Sequence, residues 1–70
     1  MNRRNVASTN LASIGYDPNS QTLEVEFRNG SIYRYLGVSP FEHSSLMGAT
    51  SHGSYFSSNI RGRYHTVRLR

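Results

Sequence analysis

The 70-residue sequence predicts an α+β fold in which a three-stranded antiparallel meander is followed by two short helices packed on one face (β-β-β-α-α). Three observations carry this prediction. Apolar and charged residues alternate over 23–28, the period of a strand with one buried face. Turn-forming residues lie on both sides of this segment, at 17–20 and 28–30. A helix start signal follows at Ser39.

Period-two patterns and turns define the three strands. Residues 11–16 form the first strand, with Ile14 and Tyr16 on the same face. Asp17-Pro18-Asn19-Ser20 then turns the chain, because proline presets the backbone at the second turn position. The third strand covers 31–36. The second strand is expected to separate its apolar side chains from its charged ones: Leu23, Val25 and Phe27 face the core, and Glu24, Glu26 and Arg28 face water.

The loop between the second and third strands decides which face the tyrosines of Tyr33-Arg34-Tyr35 occupy. A two-residue loop would turn both tyrosines away from the core face, whereas a three-residue loop with a left-handed Gly30 turns them toward it. The three-residue loop also places Glu24 opposite Arg34, which pairs opposite charges across the strands. We therefore expect the three-residue loop, over residues 28–30.

The first helix is predicted from a capping box. Ser39 is the expected N-cap, Pro40 occupies the first helical position, and Glu42 completes the box. The helix is expected to run to about Thr50. Its expected core contacts are Phe41, Leu46, Met47 and Ala49.

A second short helix is predicted from Tyr55 to about Arg61. Gly53 interrupts the chain before it, so Ser54 is its expected cap. The free N–H groups at this helix start either serve capping alone or hold an anion such as phosphate. Gly62 is the expected stop. One face of the helix carries its core contacts: Tyr55, Phe56, Asn59 and Ile60.

Length and composition indicate one domain spanning 1–70. We expect residues 1–5 to fray, and 65–70 to be either a strand or a loose tail. Cysteine is absent, which excludes disulfides and thiolate metal sites. No apolar run reaches membrane length and no apolar segment follows the N-terminal arginines, so we expect a cytoplasmic protein with no membrane partner.

Charge is distributed unevenly along the chain. All eight basic side chains are arginine, the net charge is +4, and the four acids lie before residue 43. The remaining residues carry arginines and no acid. Arginine forms bidentate contacts to phosphate and stacks on bases, so this pattern is typical of a nucleic-acid-binding surface. Solubility alone is the alternative explanation for a charge of this size.

The residues most informative about family are Ser8, Leu11, Ile14-Gly15-Tyr16-Asp17, Leu23, Val25, Phe27, Gly30, Tyr33-Arg34-Tyr35, Val38, Pro40, Ala49, Ser51, Gly53, Tyr55-Phe56 and Ile60. In this order and spacing the chain, over residues 6–64, resembles the KTSC domain, a module named for its place at the C-terminus of some lysyl-tRNA synthetases. Ser39, inserted between Val38 and Pro40, and Ser57, where asparagine is common, depart from the family pattern. The resemblance implies an RNA-binding role.

Candidate site residues follow from the charge and the aromatic side chains. Tyr33 and Tyr35 either stack bases or fill the core, and the expected register favours the core. Tyr55 or Tyr64 would add stacking beside the basic residues. The candidates for phosphate contact are the C-terminal arginines together with those nearer the N-terminus: Arg61, Arg63, Arg68 and Arg70, with Arg3, Arg4 and Arg28.

The sequence offers no pattern for metal binding or catalysis. His43, His52 and His65 lack the spacing of a metal motif. The chain has no nucleophile elbow and no phosphate-binding loop, so we expect no enzyme activity and no cofactor. Two hypotheses for its function remain. One is an RNA-binding module acting through arginines and aromatics, and the other is a protein-interaction or homo-oligomerisation module acting through a sheet edge.

Overall fold

A computed structural model describes residues 1–70 as five strands and two helices. The strands pair in chain order into one antiparallel sheet, β1-β2-β3-β4-β5. The α+β class is confirmed, but the sheet has five strands rather than the predicted three. The elements are β1 Arg3–Asn5, β2 Leu11–Asp17, β3 Thr22–Phe27, β4 Ile32–Leu36, α1 Pro40–Met47, α2 His52–Asn59 and β5 His65–Arg68.

Two further strands flank the predicted meander, one on each side. β1 pairs with β2, so the N-terminus does not fray as expected. β5 pairs with β4, so the C-terminal extension contains an edge strand. Both strands are short and mostly exposed, and β1 consists of polar residues without the apolar alternation that marks a strand in a sequence.

The β3–β4 hairpin has the expected three-residue loop. The Phe27 N–H donates to the Ser31 carbonyl at 2.8 Å, and Gly30 has φ 92°, a conformation that glycine adopts without strain. Glu24 lies opposite Arg34. Both tyrosines of β4 therefore share the face of the buried β3 residues, which confirms the predicted register.

A bulge in β2 places residues three apart on the same face. Leu11 pairs with Phe27 and Ser13 pairs with Glu26, so the register shifts by one residue between them. Leu11 and Ile14 consequently both enter the core, at 0% and 2% exposure. The period-two pattern expected for this strand does not extend across the bulge.

Helix α1 begins as predicted. The Ser39 Oγ accepts from the Glu42 N–H at 3.1 Å. The capping box is only half formed, because the Glu42 carboxylate bonds to two tyrosines and not to Ser39. The helix ends at Met47 instead of about Thr50. Phe41, expected in the core, is 80% exposed.

Helix α2 begins earlier than predicted. Its N-cap is Ser51, whose Oγ accepts from the Ser54 N–H at 3.2 Å, so Ser54 is not the cap. Gly53 lies in the first turn and does not interrupt the chain. An added Cβ there would lie 2.6 Å from Asn10 Oδ1, so glycine allows α2 to pack closely against the loop before β2. Neither helix is long and apolar enough to cross a membrane.

Both helices cover the same face of the sheet. Burial of apolar side chains on this face is the main term that stabilises a chain of this length. The opposite face, here called the outer face, carries no helix. The core is one cluster contributed by three strands, both helices and the segment between β4 and α1: Leu11, Ile14, Leu23, Val25, Tyr35, Val38, Leu46, Phe56 and Ile60.

An ion-pair network covers the outer face. Glu24, expected to face water, is only 4% exposed and accepts hydrogen bonds from Arg34 at 2.8 Å and from Arg3. Glu26 lies 3.8 Å from Arg3 and 3.5 Å from Arg70. Burial opposes ionisation of Glu24, but the hydrogen bonds from its two arginines outweigh burial and lower the pKa of the carboxyl. The predicted Glu24–Arg34 pair is therefore present, and Arg3 joins it.

Candidate nucleic-acid interface

A cleft of about 440 Å³ opens on the helix side of the sheet, between α2 and strands β3–β5. Its volume is within the range of ligand-binding pockets, and four aromatic residues line it together with six polar ones. We call it the aromatic cleft. It is lined by Phe27, Tyr33, Tyr35 and Phe56 together with Asn10, Asn29, Ser31, Ser57, Arg61 and Thr66.

Four rings in edge-to-face contact form the base of the aromatic cleft. Ring centroids lie 5.5 Å apart for Phe27 and Phe56, 5.4 Å for Tyr35 and Phe56, and 5.7 Å for Phe27 and Tyr33. Tyr35 is 5% exposed and belongs to the core, as the register predicted. Tyr33 is only half-buried, so part of its ring remains at the surface of the cleft.

One predicted arginine lines the aromatic cleft, and a second lies beside one of its rings. Arg61 follows α2 and lines the cleft. Burial, with Tyr33 adding to it, raises the pKa of Tyr35 to about 12, and the nearby Arg61 opposes this rise. The Arg68 guanidinium carbon lies 5.6 Å from the centre of the Tyr33 ring, a cation–π distance. Cationic and aromatic groups therefore meet at one site.

No acid neutralises these two arginines. Neither Arg61 nor Arg68 forms an ion pair, and the lining of the aromatic cleft contains no acid. The positive charge of the cleft is consequently available to an anionic ligand. All four acids are engaged elsewhere, in the outer-face network, in hydrogen bonds to tyrosines or in the β2–β3 turn: Glu24, Glu26, Glu42 and Asp17.

Tyr55 and Tyr64, predicted as stacking candidates, lie outside the aromatic cleft. Both hydroxyls donate to the Glu42 carboxylate, Tyr64 at 2.9 Å. The hydrogen bond to Glu42 raises the pKa of Tyr55, and burial followed by the same hydrogen bond raises the pKa of Tyr64. These contacts join α1 to α2 and to the segment before β5.

The other predicted arginines are spread around the molecule. Arg28 donates to two backbone carbonyls of the loop before β2, at 3.0 and 3.2 Å. Arg70 donates to the β3–β4 loop at 3.1 Å and pairs with an acid of the outer face. Arg63 is exposed and outside the cleft. Of the predicted arginines, only Arg61 and Arg68 lie beside the rings of the aromatic cleft. Arg3 belongs to the outer-face network, and Arg4 lines a separate cavity with His43.

Asn10 and Asn29 line the aromatic cleft, although the sequence did not single them out. Asn29 belongs to the β3–β4 loop, and Asn10 to the loop before β2. The two loops meet because the Arg28 N–H donates to the Asn10 carbonyl at 2.9 Å, which extends the β2–β3 pairing. No motif links these positions in the sequence, and only the register of the strands brings them together.

The three histidines lie apart. His43 stacks on Tyr16 at 4.4 Å, His52 Nδ1 lies 2.9 Å from a carbonyl of α1, and His65 is exposed in β5. Burial, with Arg4 adding to it, lowers the pKa of His43. No group of three or more histidine, aspartate or glutamate side chains is placed to hold a metal ion.

These features define a class of small α+β protein: one antiparallel sheet, two helices on one face, and a cationic aromatic cleft between them. The KTSC domain model matches residues 7–64, and the chain belongs to the KTSC domain family. The crystal structure of a KTSC domain protein from Yersinia pestis is similar to it with a TM-score of 0.94 at 38% identity, covering 99% of this chain and 97% of that one. The resemblance drawn from the sequence is confirmed.

Similar sequences occur both as small proteins and within larger enzymes. An uncharacterized protein of Stutzerimonas stutzeri (strain A1501) is 40% identical over 65 residues, which cover 93% of this chain and 92% of that protein. A lysine–tRNA ligase of Nostoc punctiforme is 35% identical over 59 residues, which cover 84% of this chain and 10% of the ligase. The chain thus spans a small part of the ligase and nearly all of the smaller relative.

Proposed function

We propose that this chain is a non-enzymatic module that binds single-stranded nucleic acid, RNA above all, in the aromatic cleft. The observation that carries the proposal is the partly exposed Tyr33 ring beside Arg61 and Arg68, in a cleft without acids. Aromatic side chains stack unpaired bases, and arginines contact the adjoining phosphates. The cleft supplies both kinds of contact within one site.

The shape of the aromatic cleft favours single strands over duplexes. Its rings lie between α2 and the sheet, so a base reaches them only after leaving its own stack. In duplex RNA each base is covered by its neighbours and is not free to stack on protein. We expect a duplex to bind only through contacts between its phosphates and the arginines.

The relatives support RNA as the nucleic acid to test first. Segments similar to this chain lie within enzymes named lysine–tRNA ligases, at 35% identity in one and 43% in another. A module attached to an enzyme of that name is well placed to contact RNA. The arginine-only basicity of the chain agrees with such a partner.

Fluorescence anisotropy tests the proposal, with a labelled single-stranded RNA of about ten nucleotides and a duplex of equal length. We expect the single strand to bind more tightly than the duplex. Tyr33→Leu keeps an apolar contact to Phe27 but removes the stacking ring. Its affinity is expected to fall by about 5- to 160-fold, the equivalent of the roughly 1–3 kcal/mol of one stack.

Phe41→Leu is the matched control. It removes an aromatic ring that is 80% exposed on α1 and lies outside the aromatic cleft. We expect its affinity to equal that of the wild type. No measurable binding of RNA at low salt would reject the proposal, and equal losses in the two variants would reject the cleft as the site.

A second candidate function is pairing with another protein chain through β5. The outer edge of β5 has no partner strand, and free edges invite strand addition. Apolar side chains lie exposed beside it: Leu36, Val67 and Leu69, at 38%, 39% and 49%. Sedimentation equilibrium across protein concentrations tests self-association, with Val67→Lys as the disrupting variant. A monomer at every concentration would argue against self-association.

A further inference from the structure

The two tyrosines that line the aromatic cleft are also the two whose hydroxyls have no hydrogen-bond partner within the chain. The hydroxyls of Tyr16, Tyr55 and Tyr64 each donate a hydrogen bond within the protein, and these three residues lie outside the cleft. The hydroxyls of Tyr33 and Tyr35 donate none, and both residues line the cleft. Among the tyrosines, hydrogen-bonding capacity is therefore left unused only at the cleft.

Tyr35 is the more informative of the two, because its side chain is otherwise enclosed. Only 5% of the residue is exposed, and no fully buried side-chain oxygen in the protein lacks a hydrogen-bond partner. The unpartnered Tyr35 hydroxyl must therefore retain some exposed surface. The aromatic cleft is the only one of the four cavities that Tyr35 lines, so the hydroxyl opens into this cleft.

The Tyr35 hydroxyl makes no contact that stabilises the core. The ring itself packs edge-to-face on Phe56, with 5.4 Å between the centroids, and a phenylalanine ring would make the same contact. A polar group that leaves water without gaining a partner normally costs free energy. A ligand atom that accepts a hydrogen bond from this hydroxyl would remove that cost.

A second donor adjoins this hydroxyl. Burial raises the pKa of Tyr35 to about 12, so its hydroxyl stays protonated at physiological pH, and Arg61 lies close enough to oppose the rise. Ser31 and Thr66 also line the cleft, but their hydroxyl protons are already donated within the chain, at 2.7 and 3.0 Å. An anionic oxygen therefore finds a free proton donor and a positive charge together beside Tyr35 and Arg61.

We propose that Tyr35 and Arg61 form a phosphate subsite inside the aromatic cleft, in which the tyrosine hydroxyl and the guanidinium donate to the same phosphate of the bound strand. This inference rests on the proposed nucleic-acid function and adds a core residue to those that contact the ligand. A hydrogen bond to an ionised oxygen is about twice as strong as one between neutral groups. The partly exposed Tyr33 ring remains available to a base.

Tyr35→Phe removes the hydroxyl alone and tests the subsite. In fluorescence anisotropy with a single-stranded RNA of about ten nucleotides, we expect the affinity to fall about tenfold, on the order of one charge-assisted hydrogen bond. The thermal midpoint is expected to equal or exceed that of wild type, because no hydrogen bond within the protein is lost. Wild-type affinity in Tyr35→Phe overturns the inference and leaves the nucleic-acid proposal intact. No RNA binding by the wild type overturns both.

Tyr16→Phe is the matched control. It removes a tyrosine hydroxyl that donates to the Val38 carbonyl outside the aromatic cleft. We expect the opposite pair of results, a thermal midpoint lower by about 4–8 °C and an unchanged RNA affinity. Equal losses of affinity in Tyr16→Phe and Tyr35→Phe, at a temperature where both are folded, would overturn the assignment to the Tyr35 hydroxyl.

Arg61→Gln tests whether the two donors share one phosphate. A neutral hydroxyl releases no counterion, so Tyr35→Phe should keep the wild-type slope of log affinity against log salt, whereas Arg61→Gln should reduce it. In the double variant, the combined loss of affinity should be smaller than the product of the two single losses, because both groups hold the same phosphate. A combined loss equal to that product, or a reduced slope in Tyr35→Phe, overturns the shared subsite.

Discussion

The side chain of Arg3 crosses over Gly15 to reach the next strand. Arg3 is the Cα partner of Gly15 between β1 and β2, and Gly15 is the partner of Glu24 between β2 and β3. A Cβ on Gly15 would lie 2.9 Å from Arg3 Cγ and 2.9 Å from the Asn2 carbonyl oxygen. Glycine at this position therefore allows the N-terminal strand to approach β2 and its arginine to bond with the buried acid.

Gly15→Ala is expected to destabilise the protein by about 1–3 kcal/mol, the usual range for overpacking. The thermal midpoint should fall by about 4 °C or more. The sign of the stability change is diagnostic, because alanine in a strand normally makes a protein about 0.5–1 kcal/mol more stable than glycine does. Gly48→Ala is the control, because its Cβ would meet Ser44 O at 3.4 Å, an ordinary contact. Equal melting curves for wild type and Gly15→Ala would contradict the close approach of the Arg3 side chain over Gly15.

The lowered pKa of Glu24 predicts a loss of stability in acid. In the folded protein its carboxyl titrates below the unfolded value of about 4.3, so folding releases a proton in that range. The stabilisation is complete above about pH 4.3 and is lost as the pH falls through the lower folded pKa.

Glu24→Gln removes this pH dependence. The variant is expected to be about 1–3 kcal/mol less stable than wild type at pH 7, and the difference should narrow below about pH 4. Urea unfolding at a series of pH values measures both effects. His43, whose pKa is also lowered, affects stability in a separate pH range, below about pH 6.5. This effect is the same in the wild type and in the variant. A constant difference across all pH values would show that Glu24 does not titrate as described.

Removing the α1 cap is expected to cost stability. Ser39→Ala deletes the acceptor of the Glu42 N–H and should lower the free energy of unfolding by about 1 kcal/mol. The thermal midpoint should fall by about 4–8 °C for a domain of this size. Ser58→Ala, at an exposed site inside α2, is the control and should be neutral or slightly stabilising. If Ser39→Ala has the same thermal midpoint as Ser58→Ala, the cap contributes nothing to stability.

The elements that the sequence predicts correctly are those that local chemistry specifies. The β3–β4 hairpin follows from alternation and from Gly30, and the α1 start follows from Ser39. The sequence does not predict β1, and it leaves 65–70 open between a strand and a loose tail, because both edge strands are ordered mainly by pairing with a neighbour. For the same reason, the alternating pattern predicts that Glu24 faces water, whereas in the structure Arg3 of β1 covers this side chain.

The candidate site was predictable only in part. Composition singled out the arginines and the tyrosines of β4, but their assembly depends on pairing between β4 and β5, which places Arg68 beside Tyr33. Tyr55 and Tyr64, the predicted stacking residues, do not line the cleft, because their hydroxyls bond to the Glu42 carboxylate elsewhere. Phe27 and Phe56 supply aromatic rings at the cleft instead. Such long-range partners leave no trace in the spacing of a single sequence.

The last prediction separates two arginines that the sequence ranks equally. Arg61 lines the aromatic cleft, whereas Arg63 is exposed outside it. If Arg61 contacts a phosphate, Arg61→Gln should reduce the slope of log affinity against log salt by about 0.7, the counterion release of one contact to a single strand. RNA titrations at about 50 and 200 mM salt measure the slope.

Arg63→Gln carries the same charge change and should leave the slope close to that of wild type. Arg61→Gln should also weaken RNAs of different sequence by the same factor, because phosphates carry no base identity. Equal slopes in the two variants would mean that diffuse positive charge, and not the cleft, holds the RNA.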